Sequence, residues 1–184
     1  MNNIEILYNI LMSEDVVTNI NNNLDILLEI VPELHNEIGF EHRHPHHHLD
    51  VWNHTLLALS NSKKDFIVRL ALLFHDIGKP FSYTEEHDIR HFNGHQIVSE
   101  KITREILKRL NFDNDLIGTI SYLVLSHDTP IKDSDLKNNI DITIKLYEIQ
   151  KCDALAHNPE KLEKRINYLN KVREKIKSYK KVQD

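Results

Sequence analysis

An all-α bundle of roughly seven or eight helices is what this sequence predicts, on three observations. Of its 184 residues 40% are apolar and 28% charged, ordinary for a soluble globular domain, yet only four are Gly and five Pro. Apolar residues recur at three- and four-residue steps over long stretches, and no segment alternates with the period of two that a half-buried strand needs. Polar capping residues and breakers punctuate these stretches where helices should start and stop.

In chain order, a short helix is expected over Ile4–Leu11. A longer one runs from Ser13 to Leu34, with Glu14 and Asp15 in its first turn and Val16, Val17, Ile20, Leu24, Leu27, Leu28 and Val31 on one face. Gly39 and Pro45 interrupt the pattern within a histidine-rich stretch before "LDVWNHTLLALS" resumes it. "DFIVRLALLFHD", from Asp65, is so apolar that its terminal polar residues stand out, and Gly78 and Pro80 end it. Residues 81–93 read as a polar loop. Asn93 should cap a helix from Gly94 to Leu110 with Ile97, Val98, Ile102, Ile106, Leu107 and Leu110 facing inward. A helix over Asp113–Ser126 follows, then one from Ser134 or Asp135 through Ala156, and Asn158 with Pro159 opens the last, to about residue 180.

The totals also exclude several function classes. One cysteine, Cys152, rules out an intramolecular disulfide and any zinc site with two thiolates, so any metal must use nitrogen and oxygen ligands. No run reaches the ~18 apolar residues of a membrane span, and "MNNIEILYNILMSED" lacks the features of a signal peptide. A cytoplasmic location is expected. A net charge of −5 argues against a broad grip on nucleic acid. Residues 160–181 do carry nine Lys or Arg against three Glu. That run could meet RNA, but it is read as the solvated face of a helix.

Chemistry is concentrated in a few histidines and aspartates beside apolar sequence. His75 and Asp76 end the most apolar helix, where burying them is costly without a partner, and a divalent metal is the strongest one available. His54 lies among leucines in the preceding helix, His95 opens one helix, His127 closes another, and Asp153 sits within "KCDALA". Each alone reads as a hydrogen-bonded core residue. Together, on five helices, they make a metal site the more economical account. Neutral imidazole with carboxylate suits Zn, Fe, Mn, Ni or Co better than Mg, which prefers an all-oxygen site.

The ordered set His54, His75-Asp76 and Asp153, with "LALLFHDIGKP", resembles the signature of the HD-domain metal-dependent phosphohydrolases. "HHHLDVWNHTLLAL", "HFNGHQIVSEKITREILKRLNF" and "CDALAHNP" resemble the HD domain of bacterial tRNA nucleotidyltransferases and its stand-alone relatives. The resemblance implies one HD-type domain over 1–184, with a motif core at about 40–160 against which helices in 1–38 and 159–180 pack. It implies that His54, His75, Asp76 and Asp153 bind one metal and that Asp76 bridges to a second held by His95 and His127. It further implies a hydrolase of a nucleotide or another small phosphoester, by phosphatase or phosphodiesterase chemistry. The sequence holds no Gly-Ser motif followed by paired acids, so nucleotide addition to tRNA is not expected.

Around this set, Lys79 is expected to place a charge near the substrate phosphate, the alternative being a solvated lysine at a helix end. Arg90 and His91 are candidate phosphate contacts. Asp50 either orients His54 through its other ring nitrogen or only caps the helix. Six of the thirteen histidines lie in "EHRHPHHHLDVWNH", residues 41–54. Of these only His54 is expected to bind metal; His46, His47 and His48 should line or cover the site, and His42 and His44 should be exposed. An HD-fold di-iron oxygenase and a nucleotide-binding regulatory module remain the alternative functions.

Overall fold

The computed structural model describes residues 1–183, which form ten α-helices and one small hairpin. Helix α1, Asn3–Leu11, begins with a capping box between Asn2 and Glu5. The expected helix over 13–34 is instead two, α2 (Val16–Asn22) and α3 (Leu24–Ile30), then a 3-10 turn over Pro32–Asn36. Asn23 breaks it because its side chain bonds back to the Asn19 carbonyl at 2.8 Å, and Pro32 forces Val31 out of the helical region. Helices α4 (Val51–Ser60) and α5 (Phe66–Phe74) start at Asp50 and Asp65, each accepting a main-chain N–H three residues on.

The expected loop after α5 holds strands β1 (Thr84–Glu86) and β2 (Ile89–His91), an antiparallel pair missed by the strand reading. The two turn residues, His87 and Asp88, both have positive φ, as a two-residue hairpin turn requires. Helix α6, His95–Arg109, is capped by Gly94 at φ 79°, a left-handed angle that suits glycine, and not by Asn93. Its buried face runs through His95, Ser99, Thr103, Ile106, Leu107 and Leu110, whereas Ile97 is 49% exposed, contrary to expectation. Helix α7, Asn114–Ser126, is capped by Asp113. The long helix expected through Ala156 is α8 (Asp133–Asn138) plus α9 (Ile140–Leu155), because Asn139 leaves helical geometry to cap α9. Asn158 caps a 3-10 turn over Pro159–Lys161, and α10 spans Glu163–Gln183. The excess over the expected helix count comes from these two asparagine breaks.

Helix α5 is central: Leu70, Ala71, Leu72, Leu73, Phe74 and the following Ile77 are fully buried, packed by α4, α7 and α9. Each of the Leu, Ile and Phe side chains contributes ~1.5–3 kcal/mol of burial, which fixes the end of α5 and hence His75 and Asp76 deep in the protein. At the other side Arg69 turns back to α1, bonding the carbonyls of Leu11 and Ser13 at 2.6 and 2.8 Å. Leu169, Val172 and Ile176 bury one face of α10. Its solvent face carries pairs such as Lys175 with Asp133 and Lys177 with Glu174, as expected of a solvated helix. No helix among the described residues is long and apolar enough to cross a membrane.

Candidate metal centre

Five helices deliver six side chains to one point. His54 comes from α4, His75 and Asp76 from the end of α5, His95 from the start of α6, His127 from the end of α7, and Asp153 from α9. Each of these residues, taken whole, is at most 6% exposed. The close approach of α6 to the end of α5 depends on Gly78: a Cβ there would lie 2.4 Å from the Ser99 nitrogen and 2.7 Å from the His95 carbonyl. Ser99 instead accepts the Gly78 N–H at 2.9 Å.

The four imidazoles share one orientation. Their Nδ1 atoms lie 3.2, 2.7, 2.8 and 2.7 Å from the carbonyls of Ala156, Leu72, Phe92 and Val124 for His54, His75, His95 and His127. A ring nitrogen that close to a carbonyl carries a proton, so in the neutral imidazole it is Nε2 that keeps the lone pair. These lone pairs converge in two couples: His54 and His75 at 3.4 Å, His95 and His127 at 3.1 Å. Asp76 divides them. Its Oδ2 is 3.5 Å from His54 and 3.2 Å from His75, and its Oδ1 is 3.3 Å from His95 and 3.7 Å from His127. Asp153 Oδ1 faces the first couple, 3.0 Å from His54 and 3.7 Å from His75.

Lone pairs and carboxylate oxygens facing one another repel unless a cation or a proton stands among them. Among the described residues, His54, His75 and Asp76 form one group able to hold a metal, Asp76, His95 and His127 another, and His54, Asp153 and His157 a third. The donors, imidazole nitrogens and carboxylate oxygens with Nδ1 tied to main-chain carbonyls, fit a divalent transition metal. Local charge is consistent with this. Burial pushes the His75 imidazole down, but Asp76 and Asp153 outweigh it and hold it well above its ordinary range. Burial pushes Asp76 up, and His75 and Lys79 more than reverse it; Arg165 and His157 do the same for Asp153. A proton on His75 thus takes the place a metal would compete for.

The histidine tract divides as follows. His54 alone of the six belongs to a metal-capable group among the described residues. His42 is buried, not exposed: its Nδ1 donates to Leu49 at 2.8 Å, and its ring stacks on His47 at 3.7 Å. Burial, with Lys79 nearby, lowers its pKa to about 2. His44 is half-buried, while His46 and His48 are exposed. His47 lies over the centre, 5.0 Å ring to ring from His54 and 4.5 Å from His157.

Lys79 is buried, with Nζ 2.7 Å from Asp76 Oδ2, 3.0 Å from His42 Nε2 and 5.4 Å from the Phe92 ring. It lines a cleft of about 220 Å³ with His44, His46, His47, His91, His95 and Asp128. His91 lines this cleft beside Phe92. Arg90 does not line this cleft: it stacks on Phe40 and Tyr83 and bonds Glu85 and the Glu41 carbonyl, fastening the hairpin to the tract. Asp50 accepts from the main chain and side chain of Asn53, and the Nδ1 of His54 is taken by Ala156, so Asp50 is the cap and not the orienting group. The sequence reading missed Asp128, His157 and Arg165. Arg165 reaches in from α10 to bond Asp128 at 2.9 Å, Asp153 at 2.6 Å and the Nε2 of His157 at 3.1 Å.

The family model for the HD domain matches residues 46–166. The chain belongs to the HD-domain family. Curated relatives include the A-adding tRNA nucleotidyltransferase of Deinococcus radiodurans, 35% identical over 88 residues, covering 44% of this chain and 20% of that protein. The CC-adding enzyme of Thermus thermophilus is 34% identical over 104 residues, 53% of this chain and 24% of its own length. The multifunctional CCA protein of Legionella pneumophila is 32% identical over 95 residues, 50% and 23% respectively. The chain spans less than a quarter of the length of these relatives in the matched region.

Proposed function

We propose that this HD-domain protein is a metal-dependent phosphohydrolase, a phosphatase or phosphodiesterase, acting on a nucleotide or another small phosphoester. What carries the reading is Asp76, whose two oxygens each face a couple of inward-pointing imidazole lone pairs. In this reading His54, His75, Asp76 and Asp153 hold one ion, and Asp76, His95 and His127 hold a second. Imidazole donors favour Fe, Mn, Ni, Co or Zn over Mg. When bound, such ions supply a hydroxide nucleophile near neutral pH and polarise a phosphoryl oxygen.

The chain's own residues do the rest. Lys79 fixes Asp76 and puts positive charge on the cleft floor, against the phosphoryl group, and His91 contacts the substrate at the rim. The cleft is small beside the ~300–1,000 Å³ of sites that enclose whole ligands, so it suits a phosphoryl group on a substrate that extends outside. Relatives named for tRNA and nucleotide chemistry support a nucleotide-like substrate.

The test is phosphate release, or ring opening, from nucleoside monophosphates and 2',3'-cyclic nucleotides with Mn, Ni, Co or Mg, using Asp76→Ala as control. Metal-dependent turnover by the wild type alone is expected. Equal inactivity of both proteins, with nucleotide binding retained by the wild type, would replace the enzyme with a binding module. Oxygen-dependent turnover with an iron pair would make it an oxygenase.

A further inference from the structure

Asp128 is an exposed carboxylate one residue after His127, and neither the family pattern in the sequence nor the metal-capable groups include it. Its Oδ2 lies 3.5 Å from His95 Nε2 and 3.7 Å from His127 Nε2. Both of those nitrogens are lone pairs, their protons being committed to Phe92 and Val124. While both rings are neutral, no hydrogen bond can join either Nε2 to a carboxylate oxygen, and a bound cation accounts for the approach. Added to the 3.1, 3.3 and 3.7 Å separations among His95, His127 and Asp76 Oδ1, five of the six separations among these four donors span 3.1–3.7 Å. Four ligands about 2.1 Å from one ion stand about 3.4 Å apart in a tetrahedron.

Arg165 explains why Asp128 Oδ2 points inward. One guanidinium nitrogen, Nη2, bonds Oδ1 of Asp128 at 2.9 Å and Oδ2 of Asp153 at 2.6 Å. Each carboxylate is held by one oxygen and presents the other to a couple of imidazoles. Asp153 completes a set of four donors on one side of Asp76, and Asp128 stands in the equivalent place on the other.

Resting on the metal centre proposed above, we infer that Asp128 is the fourth protein ligand of the second ion and that Arg165 is the positioning residue that aims both it and Asp153. Four protein ligands close a tetrahedral zinc site but leave two positions in an octahedral one. The second site therefore keeps room for water with Mn, Fe, Co or Ni and loses it with Zn.

The experiment is a calorimetric titration of the metal-stripped full chain with Mn²⁺ alone, for wild type, Asp128→Asn and Arg165→Gln, with thermal unfolding as the check on folding. Asp128 is 39% exposed, so the isosteric Asn opens no cavity. The wild type should bind two ions. Asp128→Asn should keep the first affinity and weaken the second by at least about a hundredfold, and Arg165→Gln, which releases both carboxylates, should weaken both affinities by about 10–100-fold. Equal second-ion affinity in folded Asp128→Asn, or a single ion in the wild type, overturns the inference and leaves the first site standing. No ion in the wild type overturns the metal centre itself. A crystal grown with Mn²⁺ gives the direct check: an Asp128 oxygen beyond about 3 Å from the second anomalous peak contradicts the assignment.

Discussion

His54, His75 and Asp153 on one side of Asp76, and His95, His127 and Asp128 on the other, are matched sets of two imidazoles and a carboxylate. Their access to solvent differs. Side chains of the first set are 0–4% exposed, whereas those of the second reach 7% at His95 and 39% at Asp128. The cleft containing Lys79 meets the second set at His95 and Asp128. A separate cavity of about 220 Å³ beside Arg165 meets it at His127 and Asp128. Neither touches His54, His75 or Asp153. On the proposed function, the difference in access gives similar donors different duties: the sealed side would retain its ion, and the open side would exchange ions and meet substrate.

The largest effect should come from removing what the two sides share. Asp76→Ala should empty both, with activity down by at least about a thousandfold, the equivalent of ~4 kcal/mol of lost transition-state stabilisation. Elemental analysis alongside the turnover assay reads both. If Asp76→Ala retained a full complement of metal, the sides would be independent of it.

Gly78→Ala should separate the sides. The new Cβ, 2.4 Å from the Ser99 nitrogen, pushes the first turn of α6 and His95 away from Asp76, while His54 and Asp153 lie on other helices. Overpacking of this kind costs about 1–3 kcal/mol, and metal titration should show the open-side ion lost and the sealed-side ion kept. Lys79→Met should lower kcat/KM by about 10–100-fold, the worth of one charge-assisted hydrogen bond, with metal content kept. A change confined to metal content would make Lys79 purely a support for Asp76.

The smallest effect probes the protein behind the sealed side. Glu37 is fully buried, and its Oε1 finds no hydrogen-bonding partner among the described residues. Burial, reinforced by the charge of Asp76, raises its carboxyl well above the ordinary 4.5. Because the folded state binds this proton more tightly than the unfolded chain, stability from Glu37 is full below pH 4.5 and is lost as pH rises toward the folded value. In metal-stripped protein Glu37→Gln should raise Tm at pH 8 by about 2–4 °C, the shift that ~1 kcal/mol gives a chain of this size. That gain should shrink toward pH 4.5. A gain independent of pH would assign it to packing.

Much of this architecture is legible in the sequence because it is written locally. Asp50, Asp65 and Asp113 mark three helix starts by a rule that spans three residues, and His75-Asp76 stands out against the apolar run before it. Asn23 and Asn139 were missed as breaks because an asparagine inside an apolar pattern leaves the helix only if its side chain finds the backbone. The hairpin hid in three-residue strands of charged sequence joined by His-Asp, which carries no glycine to advertise positive φ. Asp128 and Arg165 meet across 37 residues, one looking like a surface acid and the other like part of a basic run. His42, the buried partner of Lys79, lay in a tract whose density of histidines concealed which was structural.

Two metal positions sharing Asp76 are the centre of this account. The most direct measurement is a crystal structure of the metal-loaded protein with anomalous difference maps on either side of the Mn and Fe absorption edges. The account predicts two peaks flanking Asp76, one among His54, His75 and Asp153 and one beside His95 and His127. A metal bound instead by His44, His46 and His48 of the tract, with no peak at Asp76, would contradict it.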